Sequence, residues 1–212
     1  MDKLKFYRFF ILFATLLNLI LTPLEATIFQ IQGGLLTLVN YTLIILASLL
    51  VAQRKNVQIV TIATGIITLS FVWIEYFATN SSASACRMFA TLFLFSIVIY
   101  ILFRNFVDAK EMNLRVVFGA MAGYLLIGII GGVLFEMLDF FYAGSVNVAE
   151  GSGGYDFYYY SFISVVTVGF GDITPVSAAA KSLTIFLSVA GQFYMAVGVS
   201  LFIGKYLNTK TN

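Results

Sequence analysis

Six apolar runs, at residues 6–22, 34–52, 57–78, 86–106, 115–138 and 178–206, leave this chain few folds to choose from. About 20 apolar residues wound at 1.5 Å each match the ~30 Å hydrocarbon layer of a bilayer. Inside that layer every backbone N–H and C=O must find its partner within the protein, which favours a helix for each run. Composition agrees. The chain is 60% hydrophobic and 10% charged, against about 45–50% and about 25% in soluble domains. The first run is the shortest, and Lys3, Lys5 and Arg8 ahead of it resemble the start of a signal peptide. Leu24 is large where a cleavage site wants a small residue, so the run reads as a retained span.

The distribution of charge sets an orientation. With an even number of spans, one side carries Lys3, Lys5, Arg8, Arg54, Lys55, Arg104, Lys110, Arg115, Lys205 and Lys210, leaving only Arg87 and Lys181 of the 12 basic residues on the other. This bias predicts a multi-pass protein of the cell membrane with both termini in the cytoplasm. Glu25, Glu75, Glu136, Asp139, Glu150, Asp156 and Asp172 fall at or near the outer side. They read either as solvated loop charges or as an acidic mouth that concentrates cations. There is no histidine and one cysteine, Cys86. An imidazole metal site, a cysteine cluster and an intrachain disulfide are therefore excluded. No enzyme activity, no cofactor and no nucleic-acid partner is expected.

Between the fifth and sixth runs lies a Gly-rich stretch, Gly151-Ser152-Gly153-Gly154, and then an apolar segment, 155–166, too short to span. Thr167-Val168-Gly169-Phe170-Gly171-Asp172 follows it. A dehydrated cation needs oxygens in place of its water, and a column of backbone carbonyls supplies them. Aiming successive carbonyls to one side requires alternating backbone conformations, and Gly169 and Gly171 provide positive φ at little cost. Thr167 adds a hydroxyl oxygen at one end of the column. Asp156, at the start of the short helix, complements its positive dipole end, and the negative end then favours a cation.

These residues carry a family resemblance. The segment from about Tyr155 to Tyr206 resembles the pore domain of tetrameric potassium channels, over about a quarter of the chain, or a third with the run at 115–138. The resemblance implies a re-entrant pore helix, a selectivity filter and an inner helix. K+ would bind at Thr167, Val168, Gly169 and Phe170, with Gly171 completing the filter. It also implies that Tyr159 braces the filter through Asp172, although an interfacial aromatic belt would also account for the tyrosines. Phe170 stands where the family commonly has tyrosine. Ile163 stands where some members place a carboxylate, so an acid pair with Asp172 cannot form. A single filter segment per chain implies a homotetramer. Gly191, in the middle of the last run, reads equally as a gating hinge and as a site of close helix packing. Gly119, Gly123, Gly128 and Gly132 read as small residues that let a helix approach its neighbour.

The first four runs lack the arginine ladder of a voltage sensor, because nothing basic lies between Arg87 and Arg104 in the fourth. Steep voltage gating, which needs several charges crossing the field, is not expected. Glu75, beside Trp73 and Tyr76, reads as interfacial, with a bundle-interior proton or ligand site as the alternative. Residues 208–212 beyond the last run are too few for a ligand-binding domain. The expected fold is all-α integral membrane: six transmembrane helices plus a re-entrant pore helix and filter. The expected domains are 1–110, sensor-like without gating charges, and 111–212, the pore. The expected function is a potassium-selective channel conducting K+ passively in the lipid bilayer. The alternatives are a non-selective cation channel or a potassium-transporter subunit.

Overall fold

Every apolar run forms a helix in the computed structural model, which describes residues 2–31, 33–52, 54–78, 81–109, 113–148 and 154–210. The helices are α1 (Asp2–Phe29), α2 (Gly33–Val51), α3 (Lys55–Phe77), α4 (Ser81–Val107), α5 (Leu114–Phe141), α6 (Tyr155–Val165) and α7 (Ala178–Lys210). All except α6 include a stretch long and apolar enough to cross a membrane, as a multi-pass membrane protein requires. Two short strands, β1 (Val146–Asn147) and β2 (Thr174–Pro175), pair antiparallel. Lys110, Glu150 and Gly151-Ser152-Gly153 lie outside the described residues, as does the expected domain boundary at 110.

α1 differs from its expected bounds, since the span-length segment runs Tyr7–Phe29 and passes through Pro23. Proline lacks the N–H that would bond the carbonyl four residues back. Here that carbonyl belongs to Leu19, and the Thr22 hydroxyl donates to it at 2.8 Å. Supplying the missing donor lets a helix continue past proline in an apolar surrounding.

The chain packs as two units. One comprises the residues up to Ala109 with Asn113–Leu125, and the other runs from Leu126 onward. The division falls inside α5 because its first half packs on the first unit. A Cβ on Gly119 would lie 3.1 Å from the Phe9 ring, Phe118 meets Phe10 edge-on at 5.2 Å, and Arg115 sits 5.0 Å over Phe9.

In the first unit α1 packs on α2, α2 on α3 and α3 on α4. Its core mixes large apolar side chains with paired polar ones. Tyr41 stacks on Phe95, with ring centroids 6.2 Å apart. The Asn18 amide donates to the Asn40 carbonyl oxygen at 2.7 Å, and the Asn40 amide donates to the Thr22 hydroxyl at 2.8 Å. Such hydrogen bonds hold helices together where apolar contact alone gives little preference for protein over lipid. Arg87, buried on α4, forms an ion pair with Glu75 of α3. Glu75 is half-buried near the end of α3, with its side chain 29% accessible, so the pair adds a partner to a residue that still reaches the surface. A buried cation beside it makes its place in the packed bundle favourable.

In the second unit the latter half of α5 packs against α6 and α7. A Cβ on Gly132 would lie 2.6 Å from the Tyr158 ring, and Cβ atoms on Gly128 and Gly131 would overlap Phe162 and Ser161. The expected role of Gly128 and Gly132 is what this packing shows. β1 and β2 join the segment after α5 to the segment after residue 172, with Val146 opposite Pro175 and Asn147 opposite Thr174. Strands of two residues are too short to show an apolar–polar alternation.

Candidate functional site

α6 is the platform. Its 11 residues extend about 16 Å, roughly half the hydrocarbon thickness. It is anchored on both sides. The Ser161 hydroxyl donates to the Gly128 carbonyl of α5 at 2.7 Å, and Tyr160 shares a 2.8 Å hydrogen bond with Thr184 of α7. The Ser188 hydroxyl of α7 donates to the Ser164 carbonyl at 3.0 Å. Asp156 lies in the first turn of α6, as expected for its dipole.

The chain leaves α6 in a sequence of bonds back to the helix. Val166 N–H donates to the Phe162 carbonyl at 3.0 Å and Thr167 N–H to that of Ser164 at 3.0 Å. Val168 and Gly169 both donate to the single carbonyl of Ile163, at 2.9 and 3.2 Å. Ile163, where an acid was absent from the sequence, contributes through its backbone while its side chain is buried.

Positive φ occurs at Thr167 (+59°), Gly169 (+54°) and Gly171 (+83°). Left-handed backbone thus recurs at every second residue, and Gly169 and Gly171 adopt the positive φ expected of them. Thr167 extends the alternation at a β-branched residue, which pays a conformational cost of about 1–3 kcal/mol there. The surrounding bonds to α6 hold it. The carbonyls of Thr167, Val168, Gly169 and Phe170 accept no hydrogen bond among the described residues, so their oxygens are available to another ligand. Val168 and Phe170 are exposed in the single chain, 52% and 72% respectively.

Beyond the column, the Tyr159 hydroxyl donates to the Asp172 carboxylate at 2.7 Å, the pairing that the sequence resemblance implied. This bond holds the Asp172 pKa below the ordinary carboxylate value, helped by the backbone N–H groups of Asp172 and Ile173. The Tyr159 pKa is raised, first by the same hydrogen bond and then by burial and the charge of Asp172. At the other end of the column, the Gln192 amide of α7 lies 3.5 Å from the Thr167 hydroxyl as a long hydrogen bond. Gln192 was not singled out from sequence; a lone carboxamide inside an apolar helix was the available signal.

Gly191 is a point of close approach between α7 and the end of α6. A Cβ there would overlap the Val165 carbonyl oxygen and lie 2.9 Å from Val165 Cγ1. The packing role of this glycine is thus visible. Gly198 and Gly204, further along α7, face open space. Within α7, Ile185, Phe186 and Phe193 are about two-thirds exposed, at 65%, 65% and 66%.

No curated protein and no solved structure gives a match to the chain. Residues 122–207, from the middle of α5 to near the end of α7, match the family model described as "Ion channel", and in this region the chain is similar to ion channels.

Proposed function

We propose that this chain is the subunit of a potassium-selective channel that conducts K+ passively through a homotetrameric pore and is not steeply voltage-gated. The observation that carries the reading is the alternation of left-handed residues at Thr167, Gly169 and Gly171, with carbonyls at 167–170 that no donor among the described residues satisfies. An exposed irregular backbone is costly in lipid and is tolerated where protein or a water-filled cavity surrounds it. Several copies of the chain around an axis meet that need. Four copies would form closed rings of oxygens from Thr167, Val168, Gly169 and Phe170 as K+ sites, with Gly171 and the Tyr159–Asp172 bond supporting them. α6 is then a re-entrant pore helix and α7 the inner helix, with Gly191 as packing point and hinge.

Passive conduction requires no covalent step. The carbonyl column replaces the ion's hydration shell, and neighbouring ions in single file repel one another onward. The absence of a ladder of arginines in α4 supports the lack of steep voltage dependence. Both termini face the cytoplasm of the cell membrane in this reading, supported by the bias of basic residues.

The test is the reversal potential of purified protein in planar bilayers, with K+ on one side and Na+ on the other. The expected value lies near the K+ equilibrium potential. A value near zero would replace the reading with a non-selective cation pore. Gly169→Ala serves as the control, because a side chain at φ +54° strains the column. We expect that variant to assemble normally and lose at least about 100-fold of its K+ flux, matching roughly 3 kcal/mol of lost ion stabilisation. Normal flux in it would overturn the site.

A further inference from the structure

We propose that the first unit carries a binding site for an anionic phospholipid, with its headgroup between Arg54 and Arg104 and one acyl chain between α3 and α4. The site has two adjoining parts. A cavity of about 370 Å³ is lined by Arg54, Arg104 and Asp108. An apolar groove of about 400 Å³ is lined by Val60, Ser96 and Ile97. Val57 and Tyr100 border both. A polar end opening into an apolar channel along two helices has the form of a phospholipid. Each part falls within the ~300–1,000 Å³ typical of small-molecule sites.

Three features of the polar end favour an anion. Arg104 is oriented by a 3.1 Å hydrogen bond to the Tyr100 hydroxyl, at the border with the groove. Arg54 precedes the first residue of α3, makes no side-chain cap bond, and has no ion-pair partner among the described residues. The N-terminus of α3 is itself uncapped and has no acid in its first turn, so its free N–H groups add partial positive charge beside Arg54.

Asp108 opposes them. It lies 3.7 Å from Arg104, but both side chains are exposed, at 66% and 47%. Such a pair contributes little and yields readily to a better ligand. Two arginines less one aspartate leave one positive charge, which matches a phosphodiester headgroup carrying a single negative charge. In the groove, the Ser96 hydroxyl is satisfied by the Leu92 carbonyl at 2.7 Å. The wall it offers to an acyl chain is therefore effectively apolar.

Lipid binding here needs only that the chain sits in a membrane, so it stands or falls separately from conduction. With the termini in the cytoplasm, the site opens to the inner leaflet.

The experiment is native mass spectrometry of the full chain in detergent, titrated with phosphatidylglycerol and, separately, with phosphatidylcholine. Phosphatidylcholine has the same chains and phosphate but no net charge. We expect preferential retention of phosphatidylglycerol. Arg54→Gln with Arg104→Gln should weaken that retention about 30-fold, in keeping with the attraction of two basic residues for an anionic lipid, and leave phosphatidylcholine unchanged. Asp108→Asn should strengthen it, a gain that misfolding cannot produce. Ile97→Trp, which fills the groove, should weaken it with the arginines intact. Equal retention of the two lipids, or unchanged retention in the double arginine variant, would overturn the proposal. So would displacement of phosphatidylglycerol by soluble glycerophosphoglycerol at matching concentration, which would reduce the site to a simple anion site.

Discussion

The two units treat their polar groups in opposite ways. In the first unit, half-buried Asn18 and buried Asn40 and Thr22 close a network, and buried Arg87 meets Glu75. Its hydroxyls largely bond carbonyls one turn back, as Thr61, Thr64 and Thr68 do. In the second unit the N–H groups leaving α6 are satisfied, while the carbonyls of residues 167–170 accept nothing among the described residues. The Thr91 hydroxyl, buried on α4 with no partner among the described residues, is the exception in a bundle that otherwise pairs its polar side chains internally. A segment with four unsatisfied carbonyls in a row is built to meet something else.

The largest test of this contrast, after loss of the carbonyl column itself, is Gly191→Ala. The added methyl has nowhere to go against Val165, so we expect about 1–3 kcal/mol of destabilisation, read as a lower melting temperature of the detergent-solubilised protein. Gly198→Ala, which faces open space, should leave it unchanged. If Gly191→Ala matched Gly198→Ala in stability and altered only channel opening, the residue would act as a hinge and not as a packing point.

Next in size is Glu75→Gln. Breaking a fully buried ion pair costs about 3–5 kcal/mol. Here the Glu75 side chain is 29% accessible, so about 2 kcal/mol is a fairer expectation. The loss should appear in thermal unfolding, with ion selectivity unaltered. A change in selectivity would show that the two units are energetically coupled.

The smallest effect concerns pH. Because the Asp172 pKa is lowered, the charged carboxylate accepts the Tyr159 bond throughout the neutral range. Its contribution is complete above the ordinary carboxylate value of about 3.9 and is lost as pH falls through the lowered one. The raised Tyr159 pKa keeps its donor proton in place beyond the ordinary phenol value of about 10. Flux should therefore be flat with respect to this pair between those limits. Tyr159→Phe should move the acid limb of the flux profile to higher pH. An unmoved limb would detach Tyr159 from the support of the column.

Much of this arrangement is legible in the sequence because it rests on residues whose chemistry is local. Runs of apolar residues declare spans, Gly169 and Gly171 declare left-handed backbone, and Asp172 with Tyr159 declares a donor and an acceptor. What escaped the sequence depends on contacts between distant residues or on backbone alone. Thr167 adopts positive φ against its own side-chain preference, held by bonds from α6. α1 outlasts Pro23 because a neighbouring threonine replaces the lost donor. The division inside α5 follows from where Phe9 and Phe10 happen to pack, and no composition change marks it.

The Ile163 carbonyl, which receives both Val168 and Gly169, has a mechanical consequence. Two consecutive peptides share one peg. Each donor draws on the same lone-pair density, so neither bond is as strong as it would be alone, and releasing one peptide tightens the hold on its neighbour. The segment leaving α6 can therefore adjust one peptide at a time while staying tethered to the helix.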